Sequence, residues 1–193
     1  MHDKNYYIML AEPGWAGPIV FGDNEAPFRM DDGVLLGDTE FEFNIKLLVD
    51  KLASDPTAFP PCDIQGFRSG YLFSQRFIEL LGRLGVDNIQ YFKANVTYQD
   101  NPQKLAYKAA NILGVISALD MNASEVVLSR KGSVIAIEKM VIDEARLQGH
   151  KIVRLFESVM NVVVHRSVKE AVEAEGLTGF MFVSDDNFEV GML

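Results

Sequence analysis

The residues that most often announce a function are scarce in this chain. Its 193 residues include one cysteine, Cys62, and three histidines, His2, His150 and His165. A single thiol forms no disulfide within the chain, and an unpaired thiol suits a reducing compartment, so the expected location is cytoplasmic. The histidines stand far apart, with no HExxH or HxH spacing to bring two ligands to one metal. There is no GxGxxG or GxxxxGK loop for a nucleotide and no GxSxG elbow for a nucleophile. Basic residues are in deficit: 18 Lys and Arg against 27 Asp and Glu leave a formal charge of -9, with an isoelectric point near 4.8. Nucleic acid and anionic membrane both demand a basic surface, so neither is expected as the main ligand. The longest apolar stretch, near 112–119, falls well short of the roughly 20 residues that cross a bilayer. At the N-terminus, Tyr6 to Ala11 is too short for a signal-peptide core and is closed by Glu12 and Pro13. No cofactor is implied, and metal binding is not expected.

What the chain does have is an internal echo. Tyr71-Leu72-Phe73-Ser74, an amphipathic run to Leu84, Gly85-Val86-Asp87-Asn88 and Ile89-Gln90-Tyr91-Phe92 follow one template. Val162-Val163-Val164-His165, a run to Glu175, Gly176-Leu177-Thr178-Gly179 and Phe180-Met181-Phe182-Val183 follow it again. Gly85 and Gly176, like Glu79 and Glu170, are 91 positions apart, so the units align without a gap. Each reads as strand, helix, strand. Phe77, Leu80, Leu81 and Leu84 recur at helical spacing, Ser74 is placed to cap the first turn, and Glu79 to Arg83 is an i,i+4 pair in the favourable order. Val168, Ala171 and Val172 mark the second helix face. Gly85 and Gly176, each followed by an apolar residue, spell a Schellman ending, because glycine tolerates the left-handed conformation needed there.

Tyr6 to Leu10 reads as an opening strand stopped by Pro13, Gly14 and Gly17. An acidic stretch follows: Asp23, Glu25, Asp31, Asp32, Asp38, Glu40 and Glu42 are opposed only by Arg29. From Asn44, the spacing of Ile45, Leu48, Val49 and Leu52 predicts a helix ending near Ser54. Pro56, Pro60 and Pro61 then form a rigid connector. Between the repeats, Ala94 to Tyr98, parts of Tyr107 to Leu119, Glu125 to Leu128 and Ser133 to Ile142 are β-rich. Asn101-Pro102 and Lys131-Gly132 act as separators, Ile112 to Leu119 fits either strand or buried helix, and Asp143 caps a short turn ending at Gly149. The expected fold is α+β: a mixed, largely antiparallel sheet or sheets, about three helices and two repeated strand-helix-strand units. It is read as a single domain, residues 1–193, with an acidic N-terminal segment (1–60) carrying one helix and a repeat-bearing body (61–193). The tail from Asp185 to Glu189 reads as an exposed end.

The chemical candidates are thin. Cys62, after two prolines, reads as a partly buried loop thiol with no local nucleophile signature. Asp31 beside Asp32 would need burial to split their pKa values before serving as acid and base. Asp185, Asn187 and Glu189 begin like a calcium loop that the chain does not complete. Gly14-Trp15-Ala16-Gly17 lacks the basic neighbours of an RNA clamp.

At Gly85 to Phe92, at Asn111-Ile112-Leu113-Gly114-Val115-Ile116-Ser117-Ala118-Leu119-Asp120, and from Lys139-Met140-Val141-Ile142-Asp143-Glu144 through His165-Arg166-Ser167-Val168 to Gly176-Leu177-Thr178-Gly179-Phe180, the chain resembles a bacterial family. This is the myxobacterial-type immunity domain found beside polymorphic toxins, formerly a domain of unknown function. The likeness spans roughly Gly70 to Val183 and rests on residues of the fold. Serine is common at the second helix start, where this chain has His165. The resemblance implies a cytosolic, non-enzymatic inhibitor that binds a cognate protein toxin, and it carries over no site.

Two readings of function follow. The first is a binding protein for a basic toxin, with Asp31, Asp32, Leu35, Asp38, Glu40 and Glu42 as the partner surface and Phe28, Phe41 and Phe43 interleaved. For Phe41 and Phe43 the core is the stronger reading. The alternative is an enzyme of unrecognised type whose pocket gathers carboxylates with His150, His165 or Cys62.

Overall fold

Strands dominate because apolar residues alternate with polar ones, or run in short β-branched blocks, through most of the chain. A computed structural model describes residues 4–11, 19–22, 29–37, 40–48, 61–67, 70–98 and 101–188. In chain order the strands are β1 (Tyr6–Ala11), β2 (Ile19–Gly22), β3 (Glu42–Leu48), β4 (Ile64–Phe67), β5 (Gly70–Ser74), β6 (Ile89–Tyr98), β7 (Asn101–Leu105) and β8 (Tyr107–Ile112). They continue as β9 (Val115–Ile116), β10 (Glu125–Leu128), β11 (Val134–Lys139), β12 (Ile152–Leu155), β13 (Ser158–His165) and β14 (Phe180–Val183). Helix α1 (Gln75–Arg83) follows β5 and α2 (Arg166–Ala174) follows β13. One sheet runs β14-β1-β13-β12-β9, a second runs β2-β3-β6-β8-β5-β4 with β7 added to β6, and β10 with β11 forms a separate hairpin. The pairs are antiparallel except for β3 with β6 and β9 with β12.

Both repeat units fold as strand, helix, strand, and in each a third strand from elsewhere is threaded between the two. In the first, β8 lies antiparallel between β5 and β6, with Tyr107 opposite Ser74, and Ala110 opposite both Tyr71 and Tyr91. In the second, β1 lies between β13 and β14, with Tyr6 opposite His165, and Met9 opposite both Val162 and Phe182. The register of the two units therefore matches residue for residue. A hairpin partner completes each, β4 against β5 and β12 against β13.

The helix ends follow their sequence signals. Ser74 accepts from the Phe77 N–H at 3.2 Å, and His165 does the same work for α2, its Nδ1 accepting from the Ser167 N–H at 3.2 Å. Val86 N–H reaches the Leu81 carbonyl at 2.9 Å and Leu177 N–H the Val172 carbonyl at 3.0 Å, closing both helices as Schellman motifs around Gly85 and Gly176. Asp143 accepts from the Ala145 N–H and starts a 3-10 turn at Glu144–Leu147.

Several expectations are corrected. The described residues contain two α-helices and not three, because the stretch from Asn44 is strand β3 as far as Leu48. Phe43, Ile45 and Leu47 are buried while Asn44 faces out, and this alternation wins over the helical spacing once β6 supplies a parallel ladder. Its supposed continuation, 49–54, lies outside the described residues. Asn101-Pro102 is no separator; it opens β7, where a proline at the start of a strand is tolerated. Ile112 to Leu119 holds the end of β8, the short β9 and an isolated bridge from Leu119 to Ile142, with no helix. Arg83 does not pair with Glu79: it reaches Glu175 at the end of α2, and Glu79 accepts from Gln75. The tail is only in part the exposed end expected: Asp186 and Asn187 are exposed, but Asp185 and Phe188 are buried. Asp185 binds Lys4 at 2.8 Å and accepts from the Ile142 N–H at 2.9 Å.

Three apolar clusters hold these layers. The central one joins both units, with Phe73, Phe77 and Leu81 from the first against Val162, Val164, Val168 and Val172 from the second. A second lies on the far face of the β1 sheet beneath Met140 and Leu147, and a third on the far face of the β3 sheet around Met30, Phe43 and Phe92. Each fully buried large side chain contributes about 1.5–3 kcal/mol. Asp63, nearly sealed from water, fastens the seam between the units. It accepts from the Ser74 hydroxyl at 2.6 Å and the Thr178 N–H at 3.0 Å, and Arg76 stands 3.4 Å away.

Candidate functional site

The expected partner surface falls on residues 29–37 and 40–42, together with Asp38, which lies outside the described residues. So do Asp23, Glu25, Phe28, His2, Glu189, Pro56 and Pro60, and the turn containing Pro13, Gly14, Trp15 and Gly17. Residues 29–37 belong to no strand, so their main-chain groups must find partners elsewhere. They find them in polar side chains that rise from the sheets. Gln90 on β6 accepts from the Leu36 N–H at 3.0 Å and donates to the Leu36 carbonyl at 2.8 Å. Asn111 on β8 donates to the Val34 carbonyl at 2.9 Å, and the Gly114 N–H donates to the Gly33 carbonyl at 3.0 Å.

Arg154 on β12 is the deepest of these pins. It is 1% exposed, and its guanidinium donates to the carbonyls of Met30, Val159 and Ile112 at 3.1, 2.7 and 3.3 Å. Burial pulls this guanidinium below its ordinary value, while Tyr71, Asp31 and Asp32 oppose the shift. Met30 is sealed beneath the segment, and Gly33 passes so close to the sheet that a Cβ there would lie 2.4 Å from Val115. Residues 29–37 thus form a strap whose backbone is fixed on the body.

The fixed backbone turns a particular set of side chains outward. Leu35 is 74% exposed and Val34 53%. Asp31 is gripped by Arg29 through two hydrogen bonds of 2.9 and 2.7 Å, which hold its carboxyl below the usual carboxylate range. Asp32 is exposed, 3.7 Å from the same guanidinium. Glu40 and Glu42 are exposed at the start of β3, with Glu42 opposite Lys93 in the β3–β6 register. Phe41 and Phe43 belong to the core side, stacked edge to face at 4.8 Å. The structure therefore brings Asp31, Asp32 and Leu35 onto one pinned strap. Val34 is the member that sequence reasoning missed, along with the pins Gln90, Asn111 and Arg154. Arg154 left a readable signal, a charge in the middle of the apolar strand Ile152–Leu155.

The shift at Asp31 is downward, the opposite of what a general acid needs. The other candidates are spread over the fold. Cys62 is buried against Gly179 and its carbonyl accepts from the Tyr107 hydroxyl at 2.5 Å. His165 caps α2 and meets Tyr6 edge to face at 5.1 Å, and His150 is exposed in the turn before β12. Among the described residues, no group of three or more His, Cys, Asp or Glu side chains is placed to hold a metal ion, and no helix is long and apolar enough to cross a membrane.

The model of an immunity protein family, Imm11, covers residues 9–185, and no curated protein matches the chain.

Proposed function

The chain belongs to the Imm11 immunity protein family, and from that premise we propose that it binds a cognate protein toxin and neutralises it without chemistry of its own. The supporting observation is the strap. A loop left free would lose entropy on binding, whereas a backbone already fixed by Gln90, Asn111 and Arg154 presents Asp32, Val34 and Leu35 at little further cost. Two exposed aliphatic side chains beside carboxylates match the anatomy of a recognition surface, with apolar anchors and a charged rim. The excess of carboxylates favours a basic partner, whose approach it would accelerate. The interface is expected to bury about 1,600 Å² in total. Nucleic acid and membrane are not the partners in this reading, and the protein acts in the cytoplasm, where the toxin would do its damage.

The deciding experiment is co-expression with the toxin encoded by the adjacent reading frame. Growth should be restored by the intact chain, and a stoichiometric complex should be recovered from the rescued cells. Growth arrest that persists despite soluble, folded protein overturns the reading.

A further inference from the structure

A second surface is lined by none of the strap's residues. Between β11 and the β12–β13 hairpin runs a groove of about 400 Å³, lined by 134–137 on one side and 156–161 on the other, with Phe188 at its floor. Its mouth is apolar: Phe156 is 68% exposed, Ile135 66% and Met160 54%. Four consecutive residues of β11 line it, so the strand presents its edge, with main-chain N–H and C=O groups, and no strand among the described residues pairs with that edge. An open edge of this kind is a template for another strand.

Two buried polar groups stand unfilled along the groove. Asn161, fully buried and on the same face of β13 as Val163, has no hydrogen-bond partner for either its Nδ2 or its Oδ1. Glu157 accepts from the Ser117 hydroxyl through one oxygen at 2.5 Å, while its Oε2 is buried without a partner. A buried amide with both halves unsatisfied destabilises the free protein, and a guest that supplies one donor and one acceptor would relieve it. The peptide group has that pair. The fold contains the filled version: Gln90 accepts from the N–H and donates to the carbonyl of Leu36. Glu157, the one charged residue among the described residues that line the groove, adds a demand for a cation.

We propose that this groove takes an extended, apolar segment carrying one basic residue from the protein partner and adds it to β11 as a third strand. Main-chain bonds form along β11 and to the Asn161 amide, the basic side chain meets Glu157, and apolar side chains cover Phe156, Ile135 and Met160. The proposal rests on the reading of the chain as a toxin-binding protein and names a second contact for that partner. The two contacts share a support, since Arg154 donates both to Val159 in the groove wall and to the carbonyl of Met30 in the strap.

Hydrogen–deuterium exchange on the full chain, free and mixed with the toxin from the adjacent reading frame, tests it. The β11 amides, 134–139, should slow at least tenfold in the complex. A complex in which they exchange at the free rate overturns the groove while leaving toxin binding intact, and absence of any complex overturns both. Asn161→Leu should raise the melting temperature by about 3 °C, because it removes an unsatisfied buried amide, and yet weaken toxin binding at least tenfold. Unchanged affinity in that variant refutes the proposal. Sedimentation of the chain alone covers the remaining occupant: a dimer abolished by Ile135→Lys would assign the edge to a second copy and overturn the toxin segment.

Discussion

Gly179 is the tightest point of the seam between the two repeat units. Its φ of +85° is one that side-chain-bearing residues rarely adopt, and a Cβ there would fall 2.5 Å from the Cβ of Cys62 and 2.8 Å from the Ile64 carbonyl. Gly179→Ala should therefore cost about 3 kcal/mol, read as a lower urea midpoint with unchanged slope. Arg154 is the other residue whose loss spreads. Arg154→Met fills the volume but strips the carbonyls of Met30, Val159 and Ile112 of their donor. A stability loss of about 3 kcal/mol is expected, together with faster exchange of the amides in 29–37. Neither role could be read from the sequence. Both arise from segments distant in the chain meeting in space, and only the oddity of an arginine between Val153 and Leu155 hinted at the second.

Among the elements, the strap and the helix pair behave differently. The strap is held mainly by side chains, so the exposed charges of Asp32 within it and Glu40 beyond it can be changed without disturbing a strand ladder. Reversing Asp32 and Glu40 to lysine, and sparing Asp31 because Arg29 already engages it, should slow association with a basic toxin about tenfold and flatten its salt dependence, with dissociation little changed. Stopped-flow mixing at several salt concentrations measures this. The helices are instead tied to each other: Arg83 and Arg76 of α1 both reach Glu175 at the end of α2, and Lys151 donates to the Leu84 carbonyl at the end of α1.

Local signals made these helices legible from sequence, since caps, apolar spacing and terminal glycines all lie within a dozen residues. The strand at Glu42–Leu48 was misread because its apolar residues fit two periods at once. The choice between them was made by β6, about 50 residues away. The strap's acidic character was visible, but not its rigidity, which depends on Gln90, Asn111 and Arg154 from three different strands. The groove was hidden for the same reason: Asn161 is unremarkable in sequence, and its unfilled amide exists only once β13 is buried.

For the whole molecule, four tyrosines set the alkaline limit. Burial raises the Tyr6, Tyr71, Tyr91 and Tyr107 phenols above their ordinary value near 10, Tyr91 to about 12. A raised acid favours the neutral phenol in the folded state. Stability is thus fully present below pH 10 and is lost as pH climbs toward 12 and beyond. Lys4, raised by its hydrogen bond to Asp185, loses its contribution in the same alkaline window. Urea midpoints at pH 8 and pH 11, followed together with tyrosinate absorbance, should fall as ionisation rises; coincident midpoints would contradict this.

The place of β1 also has a consequence for synthesis. Translated well before its partners, it lodges between two strands that leave the ribosome about 150 residues or more later. Until then this aromatic segment has no ladder to join, and the β1 sheet cannot close before β13 and β14 have emerged. Maturation should accordingly be slow and dominated by long-range closure, and a nascent chain arrested before β13 should lean on a chaperone that shields Tyr6 to Leu10.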